Sequence, residues 1–171
     1  MSSSSRDDLR ALQAPLKERY AREPEAALVT LSATGTLGDG ISCSVPTGRA
    51  LAEAGLHPAS GGDGSLLCSG DMLLEALAAC AGVTLRAVAT SLGIDVAGGR
   101  VRAEGDLDFR GTLGVDREAP VGFAAIRLFF ELETDADEEH LATLRARTER
   151  YCVVLQSLAH GPALTTELRA V

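Results

Sequence analysis

Leu9, Leu12, Leu16 and Tyr20 recur at three- and four-residue spacing between charged positions from Asp7 to Ala21, which predicts an amphipathic helix. Pro24 ends that pattern. Residues Ala27 to Thr34 then read as a strand, Gly35 to Gly40 as a glycine-rich turn and Ile41 to Val45 as a second strand, together a hairpin. From Pro46 to Ser65 two prolines and five glycines predict a long loop, with a short helical turn around Arg49 to Ala54.

The longest apolar run follows. Between Asp71 and Leu92 there is no proline and Gly82 is the sole glycine, while Leu, Ala and Met dominate, so propensity predicts a helix of about twenty residues. Asp71 is a plausible N-cap and Gly93 the stop. Apolar side chains such as Leu73, Leu77, Val83, Leu85 and Val88 fall almost all round the wheel, which places the helix inside a protein. Glu75 and Arg86 interrupt the run, so it reads as a buried central helix rather than a membrane span.

Beyond it, Ile94 to Val96 begins an extended region. Val101 to Phe109 and Ile126 to Leu132 predict two antiparallel strands joined by a loop at Arg110 to Pro120. Asp135 or Asp137 caps a helix from Glu138 to about Arg147 with Leu141 and Leu144 facing inward; a short helix covers Glu149 to Leu158, and Ala163 to Val171 closes the chain as a strand. Neighbouring strands with inserted helices define an α+β class, the long helix buried against the sheet.

A chain of 171 residues can bury a substantial core as one domain with an appendage: residues 1–26 as serine-rich tail and amphipathic helix, residues 27–171 as the domain proper. The formal net charge of -8, with Lys17 the sole lysine, excludes a phosphate-neutralising surface for nucleic acid. MSSSSRDDLR lacks the apolar core of a secretory signal, which points to a cytoplasmic protein. Four cysteines in that setting serve as buried fillers, metal ligands or redox groups rather than structural bridges. His57, His140 and His160 have no companion at metal-ligand spacing, so no metal is expected.

Two cysteines lie in predicted helices. Cys80 has Thr84 one turn away on the same face, and Cys152 follows Glu149, Arg150 and Tyr151, where a guanidinium could lower a thiol pKa. A buried cysteine is otherwise an inert small hydrophobe, and Cys43 and Cys68 have no evident partners.

LLEALAACAGVTLRAVA, followed about seventy residues later by ERYCVVLQSL and then by LTTEL, resembles the OsmC/Ohr family, the osmotically inducible and organic hydroperoxide resistance proteins. The resemblance covers roughly Ala27 to Val171. It implies an OsmC-like fold of antiparallel sheets around a long buried helix, assembled as an intertwined homodimer, and a thiol-dependent peroxidase that needs no cofactor. Cys80 would be the peroxidatic and Cys152 the resolving cysteine, with an organic hydroperoxide as substrate and an external dithiol, lipoyl or another small one, as reductant. The chain departs from the family at the activating residues: Cys68, Ser69 and Gly70 stand where a glutamate is expected, and neither strand of the first hairpin carries the arginine. Asp71 and Arg49 are the nearest substitutes, with Thr84 as a further polar neighbour of Cys80. The other reading is a non-catalytic domain of the same fold that binds or senses a small apolar or electrophilic molecule.

Overall fold

Helix α2, Ser69–Leu92, sets the architecture. Leu74, Leu77, Ala81, Leu85 and Val88 recur at three- and four-residue spacing and form its buried face, which packs on strands of a four-stranded antiparallel sheet. By length and composition α2 could cross a membrane; here Leu74 and Leu77 are fully buried in the protein core. The helix ends where predicted: Gly93 takes φ 69°, and its N–H and that of Ile94 return to the Thr90 and Ala89 carbonyls. This computed structural model describes residues 6–37, 43–44 and 54–170.

The sheet runs β2-β1-β5-β6, with β1 Leu28–Leu37, β2 Cys43–Ser44, β5 Gly98–Asp108 and β6 Phe123–Glu133. A separate two-residue parallel pair joins β3, Ala54–Gly55, to β4, Leu67–Cys68, immediately before α2. Period-two alternation divides β5 between two faces. Val101, Ala103 and Gly105 are buried toward α2, and Arg102, Glu104 and Asp106 lie on the other side. Gly105 is required by this approach, since a Cβ there would stand 2.4 Å from the Phe123 ring and 3.3 Å from Leu74 Cδ2. On the outer face Arg127 pairs with Asp106 at 2.5 Å and Glu104 at 3.3 Å, while the Arg102 guanidinium stacks 4.3 Å from the Phe129 ring centroid.

A second, smaller core joins α1, Arg6–Arg22, to the rest. Tyr20 is buried with Ala27, Phe109 and Leu113, and its hydroxyl donates to the Ala59 carbonyl at 2.6 Å. Phe109, read from sequence as the last strand residue, instead opens the single turn α3, Phe109–Thr112, which runs into the connection read as a loop from Arg110 to Pro120. After β6 come α4, Glu138–Tyr151, and α5, Val153–Ala159.

Several sequence expectations are corrected. Cys68, not Asp71, occupies the N-cap of α2; Asp71 lies in its first turn, where an acidic side chain still suits the helix dipole. β1 continues through Gly35 to Leu37, because pairing to Arg100 and Val101 of β5 outweighs the turn preference of glycine. Leu144 is buried but Leu141 is 37% exposed. Residues 163–170 carry no strand and are exposed, with Leu168 at 99%, since no edge among the described residues pairs with them. The predicted turn around Arg49 to Ala54 lies outside the described residues except for Ala54, which is in β3.

Candidate functional site

Asp137 starts α4: its carboxylate accepts the His140 N–H at 2.9 Å, settling the choice between the two predicted caps. Along α4, Leu144 and Thr148 are buried one turn apart, and Cys152 continues the same stripe one turn on, fully buried. At Cys152 the chain leaves the helix, with φ -71° and ψ 106°, and α5 starts at the next residue. The two C-terminal helices therefore meet at the cysteine, against α2, where Cys80 packs half-buried on the same core.

Four polar hydrogens approach Cys80 Sγ. Burial alone would push this thiol up, but the Val154 N–H, the Cys152 thiol, the Thr84 hydroxyl and the Val153 N–H all favour the ionised sulfur, and the net shift is downward. Cys152 goes the other way. Its burial pushes it up to about 11, opposed by the Leu155 N–H and reinforced by Cys80, whose ionised sulfur holds the Cys152 proton in place. Of the two neighbouring thiols Cys80 is therefore the one that ionises first, with Cys152 held protonated beside it. Cys68, Cys80 and Cys152 are all free.

The structure brings Cys80, Thr84 and Cys152 together and leaves Asp71 apart from them. Asp71 lies nine residues before Cys80 on α2, about 13 Å along the helix axis at 1.5 Å per residue. Its carboxyl is pushed up by burial, and the His57 imidazole partly offsets that. Glu75, one turn on, is raised by burial and by the Asp71 charge. Arg49 lies outside the described residues. Arg150 does not activate Cys152, whose pKa is raised; the guanidinium sits 5.8 Å from the Tyr151 ring centroid at the surface.

Sequence reasoning missed the groups that contribute most to the thiol environment. Backbone N–H donors carry no residue signature, and only a helix break at Cys152 could have revealed them. It also left His57 unassigned: its Nδ1 accepts the Ala59 N–H at 3.0 Å and its ring stacks on Phe109 with centroids 5.1 Å apart.

Two cavities frame the site's surroundings. An open, largely apolar groove of about 640 Å³ runs between β6 and α5, lined by Phe123, Ile126, Leu128, Phe130, Leu155 and Leu158. A second of about 620 Å³, lined by Asp95, Glu133, Asp135, Asp137 and His140, lies at the far end of α2. Among the described residues no group of three or more His, Cys, Asp or Glu is placed to hold a metal ion.

A family model described as OsmC-like protein matches residues 62–167. Among solved structures, an OsmC-like hydroperoxide resistance protein from Jannaschia sp. CCS1 is similar, with a TM-score of 0.61 and 16% identity, covering 84% of this chain and 95% of that one. At that identity the likeness shows the fold, and the shared fold is a mixed helix and antiparallel-sheet architecture with the central helix packed on the sheet. No curated protein sequence matches the chain.

Proposed function

The chain belongs to the OsmC-like proteins, and we propose that it is a cytoplasmic thiol-dependent peroxidase that reduces organic hydroperoxides through Cys80 and Cys152. The observation that supports the reading is the packing of Cys80 on α2 against Cys152 at the α4–α5 break, where the Cys80 thiol is lowered and the Cys152 thiol is raised to about 11. In the first step the Cys80 thiolate attacks the terminal peroxide oxygen. The O–O bond breaks, the alkoxide leaves and is protonated to the alcohol, and Cys80 becomes a sulfenic acid. Oxidation removes the anionic sulfur that helped raise the Cys152 pKa, so Cys152 ionises more readily once Cys80 has reacted. Its sulfur then attacks Cys80, the S–O bond breaks with loss of water, and a disulfide forms. An external dithiol supplies two electrons to restore both thiols.

Assembly belongs to the same proposal. Leu73 and Val83 on the outer side of α2 are 37% and 39% exposed, and Tyr151 and Val153 beside Cys152 are 60% and 70% exposed. Exposed apolar side chains on the central helix and at the helix break fit a homodimer that covers them.

A second reading, a non-catalytic domain that binds a small apolar or electrophilic molecule, is favoured by the groove between β6 and α5. Steady-state consumption of an organic hydroperoxide with a small or lipoyl dithiol separates the two. Turnover supports the peroxidase; no consumption by protein with free, reduced thiols leaves the binding reading.

A further inference from the structure

The break between α4 and α5 has a cost and a use. In a continuous helix the Val153 N–H would bond to the Glu149 carbonyl and the Val154 N–H to the Arg150 carbonyl. Cys152 keeps its own helical bond, N–H to the Thr148 carbonyl at 2.9 Å, and then turns to ψ 106°, so the next two N–H groups lose their partners. Both favour the ionised Cys80 sulfur, and the Val154 N–H is shared with Cys152. The abandoned Glu149 carbonyl is not left open: the Gln156 side-chain amide spans the break and donates to it at 2.8 Å. Gln156 also begins the regular bonding of α5, its backbone N–H donating to the Cys152 carbonyl at 2.9 Å. One residue therefore satisfies the last turn of α4 with its side chain and the first turn of α5 with its backbone.

We propose that Gln156 is a positioning residue: its amide occupies the Glu149 carbonyl in place of the Val153 N–H, and so holds open the helix break that presents the Val153 and Val154 N–H groups to Cys80. This rests on reading Cys80 as the reactive thiol, yet it concerns the geometry behind the sulfur and not the peroxide chemistry. Without the strap, the Val153 N–H regains its helical partner, α4 runs on toward α5, and the thiolate loses donors. Gln156 touches no reacting atom in this arrangement, and it acts only through the backbone. Nothing in the residue's type signals the role, because a glutamine four positions after a cysteine on a surface helix is ordinary in sequence.

Ultraviolet titration of the thiolates tests it in protein whose Cys43 and Cys68 are replaced by serine, the lower transition reporting Cys80. Gln156→Leu and Gln156→Ala are both expected to move that transition upward in pH, with the thiolate population near neutral pH falling by up to about tenfold. Adding Val153→Pro to Gln156→Leu is expected to bring it part of the way back. Proline suits the first helical position and drives the residue before it out of the helical region, which restores the break and the Val154 N–H although not its own. A Cys80 transition unmoved by either Gln156 substitution, or a rise that Val153→Pro does not reverse, overturns the proposal. The two readings fail separately. If the unaltered chain consumes no hydroperoxide while its lower thiol transition still follows Gln156, the peroxidase falls and the positioning role stands. Turnover with a transition indifferent to Gln156 does the reverse.

Discussion

The Cys152 thiol lies against the Cys80 sulfur and is the more buried of the two, so the pair ionises unequally: Cys80 gives up its proton first, and Cys152 is held protonated to about pH 11. The difference follows from what surrounds each sulfur. Burial costs both, but Cys80 collects the Val154 and Val153 N–H groups, the Thr84 hydroxyl and its partner's proton, whereas Cys152 has only the Leu155 N–H and a share of the Val154 N–H to offset its deeper burial.

Replacing either sulfur gives different failures. Cys80→Ser is expected to abolish dithiol-dependent hydroperoxide reduction, because a hydroxyl is not ionised near neutral pH. Cys152→Ser should consume one equivalent of peroxide per chain and stop, leaving a sulfenic acid that a sulfenate-specific nucleophile traps at Cys80. Mass spectrometry of the trapped protein reads both outcomes; a Cys80→Ser variant that still turns over would remove Cys80 from the reaction.

Thr84→Val keeps the shape beside Cys80 and removes one donor to the thiolate. Cys80 should then titrate higher, lowering the reaction rate near neutral pH by about tenfold or less and shifting the rate profile toward alkaline pH. The loss disappears once the pH exceeds the new Cys80 pKa. A profile unchanged in position means that the hydroxyl does not act on the sulfur.

Stability at high pH should be governed by Cys152. Its folded pKa of about 11 lies above the ordinary value of 9.0, so its contribution is complete below about pH 9 and is lost as pH rises to about 11, where the folded thiol also ionises. Cys80 is lowered, so its contribution is complete above its ordinary pKa and is lost only as pH falls through the folded value; it stays flat over that alkaline window. The raised phenol of Tyr20 adds a decline of the same sign as that of Cys152. The difference in denaturant midpoint between reduced protein and Cys152→Ser isolates the cysteine, and it should narrow between pH 9 and 11. A constant difference would contradict the raised pKa.

Core and interface positions on α2 should respond differently. Leu77 is fully buried, and Leu77→Ala is expected to cost about 2–5 kcal/mol in denaturant unfolding. Val83 is 39% exposed on the opposite side, and Val83→Asp should change assembly with little effect on the fold, converting a dimer to a monomer by light scattering. Unaltered protein that scatters as a monomer would count against the homodimer.

Much of this protein was legible from residue order. Three- and four-residue apolar spacing located α1, a proline-free run rich in Leu, Ala and Met located α2, Gly93 marked the end of α2, and alternation located β5 and β6 within a few residues. These features depend on contacts and dihedral preferences close along the chain. The sequence also singled out Cys80, Thr84 and Cys152, through helical spacing and family resemblance.

Tertiary structure decided the rest. Pairing with β5 carried β1 through Gly35, and Ala163 to the chain end formed no described strand because that outcome depends on a partner edge and not on propensity. The sequence placed Cys152 inside a helix, whereas the structure breaks the chain there and turns two backbone N–H groups toward a sulfur more than seventy residues away. Backbone donors are the same at every non-proline position. Which of them are free, and what they face, is fixed only when α2, α4 and α5 pack together.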